Sequence, residues 1–126
     1  MTNIYPFTDK DGTVYLSAPK AQGDLTYIEV ENIPSGLTSI SPEAGVHILA
    51  HSETGHHHVL DRVDSVQRYQ DVESEVTTFL KVVGDAVKLK HLRSHDTHGE
   101  HVIPAGNYKV TNGVQYTPEG MRRVVD

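Results

Sequence analysis

The sequence predicts an antiparallel all-β fold, a small barrel or sandwich with a short C-terminal helix. Three observations lead there. Short runs of alternating or β-branched residues recur along the chain. They are separated by Asp11-Gly12, Gly84-Asp85 and Asn112-Gly113, dipeptides with the chemistry of tight turns. Nothing upstream of the last few residues carries the apolar spacing of a helix.

Each element has a local chemical reason. Asp11-Gly12 separates Tyr5–Thr8 from Thr13–Ser17, a two-residue hairpin signal. Asp24–Glu31 alternates Leu25 and Tyr27 against Thr26, Ile28 and Val30, and stops at Ile33-Pro34-Ser35-Gly36. Val46–His51 and His56–Arg62 flank Ser52-Glu53-Thr54-Gly55. Thr77–Val83 and Ala86–Leu92 flank Gly84-Asp85, and Asn107–Thr111 and Val114–Tyr116 flank Asn112-Gly113. At the C-terminus Thr117 suits a helix cap, Pro118 a first helical position and Glu119 the positive end of the dipole. With 126 residues and no linker, repeat or low-complexity tract, residues 1–126 read as one domain.

Composition narrows the function classes. An apolar content of 37%, with two Phe and no Trp, leaves a thin core that a metal or neighbouring subunits would reinforce. The formal charge of −6 and the lack of a basic block argue against nucleic acid as partner. No apolar run approaches the roughly 20 residues of a membrane helix, and the first twelve residues carry no signal-peptide pattern. The expected location is the cytoplasm, with a virion as the alternative. Without cysteine there is no disulfide and no thiolate site, so any metal takes nitrogen and oxygen ligands.

Histidine is the outstanding feature. Seven of the nine fall into two clusters, His51 with His56-His57-His58, and His95, His98 and His101. Imidazole is the commonest metal ligand. Across a Ser52–Gly55 hairpin, His51 would face His56, Leu49 would face His58 and His47 would face Leu60. In any register His56 and His58 share a face, which places two imidazoles on one ion. The second cluster has a three-residue spacing in a loop-forming context, with Asp96 and Glu100 as acceptors or as a carboxylate ligand. Against this stand plainer readings: a solvated His-rich loop, His47 and His91 as half-buried strand residues, and Glu53 as a turn residue. Lys88-Leu89-Lys90 and Arg122-Arg123 read as solvated faces.

Two resemblances add to this. Gly55-His56-His57-His58 and Pro104-Ala105-Gly106 resemble the G…H-x-H and P-x-G motifs of cupins, but Asp61 and Lys109 stand near the places of the remaining cupin ligands. That likeness is an analogy of architecture. A closer one runs through Gly23-Asp24, Ile33-Pro34, Thr54-Gly55-His56-His57-His58, His98-Gly99-Glu100-His101, Pro104-Ala105-Gly106-Asn107-Tyr108-Lys109-Val110 and Tyr116-Thr117-Pro118-Glu119. It resembles a family of small proteins of bacteria, prophages and tailed phages with T-G-H-x-H and H-x-E-H…P-x-G-x-Y-x-V patterns. The resemblance implies His56, His58, His98 and His101 as the pertinent four. Many members carry an acid two positions before the Thr; here Ser52 stands there and Glu53 is next to it.

Three functions are expected. One is a metal-binding β-domain, with zinc first and iron or manganese as alternatives, whose metal fastens the fold or activates water. A second is a phage virion component, such as a capsid decoration or tail-associated subunit. The third is a pH-responsive binding module, since protonation of all nine histidines would carry the charge from −6 to +3. No motif defines a reaction, a catalytic residue or a substrate. Short strands leave edges to cover, so the partners expected are further copies of the chain or phage structural proteins.

Overall fold

The computed structural model describes residues 4–22, 25–43, 45–50, 58–71, 73–74, 76–91, 100–112, 114–117 and 120–123. Ala50, His91 and the residues after 112 are described by their backbone alone. In chain order the strands are β1 (Phe7–Thr8), β2 (Val14–Tyr15), β3 (Lys20–Gln22), β4 (Leu25–Val30), β5 (Thr38–Ile40), β6 (His47–Ala50) and β7 (His58–Leu60). They continue as β8 (Val66–Gln70), β9 (Thr77–Val82), β10 (Val87–His91), β11 (His101–Ile103), β12 (Gly106–Asn112), β13 (Val114–Thr117) and β14 (Gly120–Arg123). All pairings are antiparallel, and among the described residues there is no helix.

The large sheet runs β1-β2-β4-β12-β9-β8-β5, with β3 also on β4, and the small sheet runs β11-β10-β7-β6. Of the two expected architectures the sandwich fits; both sheets are open and no barrel closes. The register puts Leu25, Tyr27, Tyr108, Val110, Leu80, Val82 and Val66 on one face of the large sheet. These form one buried cluster with Leu49, Leu60, Val87, Leu89 and Ile103 of the small sheet. Alternation along each strand thus sorts a modest set of apolar residues onto two inner faces. β12 lies between β4 and β9, and its β-branched and aromatic inner residues suit a central strand.

The expected β1–β2 hairpin forms, but Thr8 pairs with Val14, so Asp11-Gly12 belongs to a five-residue loop from Asp9 to Thr13 rather than to a two-residue turn. Asp9 Oδ1 accepts from the backbone N–H groups of Asp11 and Thr13 at 2.9 and 3.0 Å, and the Tyr15 hydroxyl donates to Oδ2 at 2.9 Å. Gly12 supplies the positive φ of 87°. The other two dipeptides do something else. β9 and β10 belong to different sheets, so Gly84-Asp85 carries the chain from one layer to the other. Turn chemistry specifies a reversal but not which strand lies alongside. β13 pairs with β14 rather than β12, while Gly113 lies outside the described residues.

The expected C-terminal helix is not seen among the described residues. Thr117 is opposite Gly120 and Val114 opposite Arg123 in a hairpin; Pro118 and Glu119 lie outside the described residues. Cap residues help only a helix that continues. Gly120, directly after Pro118-Glu119, is a poor helix former.

Candidate metal centre at one end of the small sheet

His58 opens β7 and His101 opens β11, with β10 between them. Because β10 is antiparallel to both, the starts of β7 and β11 and the end of β10 lie at the same end of the sheet. β6 ends there too, with Ala50 opposite His58. The described residues that flank 51–57 and 92–99 therefore lie at this end. His101 pairs with Leu89, Leu89 with Leu60 and Leu60 with His47. One cross-strand row thus carries a histidine at each side and two buried leucines between. The expected pairing of His47 with Leu60 is present. A bulge between Ile48 and Ala50 then moves the partner of His58 from Leu49 to Ala50, because one extra residue enters β6 there.

The ring of His58 is held by Gln22. The Gln22 Nε2 group donates to the Leu89 carbonyl at 2.9 Å, which fixes the amide orientation, so Oε1 is the atom 2.8 Å from His58 Nδ1. A carbonyl oxygen only accepts, so Nδ1 carries the proton and Nε2 the lone pair. Gln22 and His58 are 3% and 2% exposed, so this contact forms in a dry interior. It joins β3 of the large sheet to β7 and β10 of the small one.

His101 is half-buried and has an equivalent partner. Its Nδ1 lies 2.6 Å from the Tyr27 hydroxyl, and the two rings meet edge to face. Burial raises the Tyr27 pKa, so the phenol stays protonated. Tyr108 packs edge-on against Tyr27 and donates its hydroxyl to the Pro104 carbonyl at 2.7 Å. Burial, with Glu29 and Tyr27 nearby, pushes its pKa to about 12. The Pro104–Gly106 corner is thereby tied to the same polar row.

Of the four expected ligands, His58 and His101 are thus brought to one end of the small sheet. His56 and His98 lie outside the described residues, as do His51, Glu53, His57, His95 and Asp96. Among the described residues alone, no three His, Asp or Glu side chains form a metal-sized group. Glu100 pairs with Lys88 at 3.8 Å, and Lys88 and Lys90 are exposed on either side of buried Leu89, as expected. The sequence holds no sign of Gln22 and Tyr27 as partners. Each sits more than thirty residues from the histidine it contacts, and neither belongs to a ligand motif.

His47 is not half-buried but 2% exposed. Burial lowers its pKa and the Arg68 charge lowers it further, while hydrogen bonds to the backbone at Val63 and Val66 act in the opposite direction. With the folded pKa below the unfolded value near 6.5, the unfolded chain takes up the proton first. The resulting stability is whole above about pH 6.5 and is lost as pH falls towards the folded pKa. Urea denaturation between about pH 5 and pH 7 should show a shallower acid loss for His47→Gln than for the wild type. Parallel curves would contradict this origin.

Fold and site together define a two-sheet antiparallel β-domain with histidines on the inner face of its smaller sheet. Residues 21–112 match the family described as Domain of unknown function (DUF8820), and the chain belongs to that family. The matched span runs from β3 to the end of β12 and includes both His clusters. No curated protein and no solved structure matches the chain.

Proposed function

We propose that this chain is a metal-binding β-domain holding one divalent transition metal, zinc first, through His56, His58, His98 and His101. The observation that carries the reading is the Gln22 contact, which orients the His58 ring and makes Nδ1 its N–H donor. Metal-bound histidines typically donate their other ring N–H to a fixed acceptor, and such partners orient the ring and raise its basicity. Tyr27 takes that place for His101, with Nδ1–H donating to the phenolic oxygen. His58 and His101 are two strands and two residues apart, so their Cα atoms are roughly 12 Å apart, a gap that two imidazoles leaning together can span around an ion. His56 is two residues from His58, and His98 three from His101. Four imidazoles complete a tetrahedral sphere and leave no position for substrate, so the metal fastens the fold rather than performing chemistry.

Cobalt(II) titration with visible absorption tests the ligand set. The wild type should take up one equivalent with a tetrahedral spectrum. His58→Ala and His101→Ala should abolish it, and His57→Ala should retain it. Gln22→Leu should weaken binding by about 10- to 100-fold, the usual effect of removing an outer partner. An unaltered spectrum in His58→Ala would contradict the assignment.

A further inference from the structure

At the β6 edge of the small sheet, across the row from His101, lies a second polar site. β5 is the last strand of the large sheet and β6 the last of the small one, and residues 41–46 connect them. Where these edges meet, a cavity of about 380 Å³ is lined by Ser39, Ser41, His47, Arg68 and Tyr69, among others. Its size is that of a small-molecule site. Arg68 reaches it from an inward position of β8, between Leu80 and Ile40.

Arg68 is unusual for its surroundings. It is 6% exposed, its Nε–H has no hydrogen-bond acceptor, and it forms no ion pair among the described residues. The Glu43 carboxylate acts on it through space. The second buried group at the cavity, His47, also has an unsatisfied ring atom, Nδ1. A buried guanidinium is costly unless something takes its hydrogen bonds. Two residues that each hold a buried, unsatisfied nitrogen line one small-molecule-sized cavity beside two serines, an arrangement that matches a ligand bringing negative oxygens.

We propose that this cavity is an oxyanion site, taking a small phosphate- or carboxylate-bearing molecule through the Arg68 guanidinium. The planar guanidinium offers a fork of N–H donors that suits two oxygens of one anion. Ser39 and Ser41 supply hydroxyl donors. The His47 Nδ1 lone pair accepts a hydrogen bond from an O–H of the ligand, such as that of a monoprotonated phosphate or of a hydroxyl beside a carboxylate. The site is separate from the metal, since His47 is three strands from His101 and at the other end of β6 from Ala50, the partner of His58.

The test titrates full-length protein with inorganic phosphate and, separately, with lactate, against chloride at equal ionic strength. The readouts are the Arg68 Nε–H resonance and the melting temperature. Phosphate, lactate or both should shift the resonance saturably and raise the melting temperature, and whichever acts identifies the ligand class. Arg68→Lys should keep the fold and weaken binding by about tenfold or more, through loss of the fork. Arg68→Met should abolish the anion-induced melting shift while melting, without anion, no lower than the wild type, because it removes a buried charge that lacks its ligand. No saturable resonance shift with either anion, or equal melting shifts in the wild type and Arg68→Met, would overturn the proposal.

Discussion

Chelation should lower the melting temperature by tens of degrees, and returning zinc should restore it. Closed metal sites contribute on the order of 10 kcal/mol to small domains. That is as large as the entire stability of an ordinary domain, about 5–15 kcal/mol. The apolar cluster is modest, and at the His58 end of the small sheet the interior holds Gln22, His58 and Tyr27. A metal ion would supply there the cohesion that apolar packing supplies elsewhere. Melting curves with and without chelator, accompanied by metal analysis of the stripped sample, check this. An unchanged curve in protein shown to be metal-free would exclude the fastening role.

Leu89→Ala should be the most damaging core substitution. Leu89 has no exposed surface and is the Cα partner of both Leu60 and His101, while its carbonyl accepts the Gln22 amide. Removing a buried leucine side chain costs about 2–5 kcal/mol, with the upper end where the surroundings cannot collapse. A site between two paired strands and beneath the large sheet has little freedom to collapse. The loss should appear as a drop on the order of 10 °C in melting temperature, accompanied by weaker metal binding, because the Gln22–His58 contact rests on the same strand. Lys90→Ala, on the exposed face of that strand, should change stability by less than about 0.5 kcal/mol. Equal losses in the two variants would contradict the placement of the core.

Strands are more legible in the sequence than their neighbours. Leu25–Val30, Thr77–Val82 and Val87–His91 are visible as alternating or β-branched runs because alternation is a local property. Sheet membership is not local. Gly84-Asp85 has hairpin chemistry yet separates two layers, since only tertiary packing determines the partners of β9 and β10. Thr38–Ile40 and Val66–Gln70 carry few large apolar residues and escape the pattern altogether. Arg68 is the reason in β8: it occupies an inward position where alternation would place an aliphatic residue. In the same way, the motif spacing points to His58 and His101 but is silent on Gln22 and Tyr27, which reach them from another sheet. Cap residues at Thr117 and Pro118 suggest a helix, and strand pairing across Thr117–Gly120 prevails.

The most direct test of the central claim is the metal content of protein purified without an affinity tag and without added metal. One divalent transition metal per chain is predicted, retained through extensive dialysis, retained in His57→Ala and absent from folded His58→Ala. Protein that is well folded with no bound metal, or that carries the same metal content in His58→Ala as in the wild type, would contradict it.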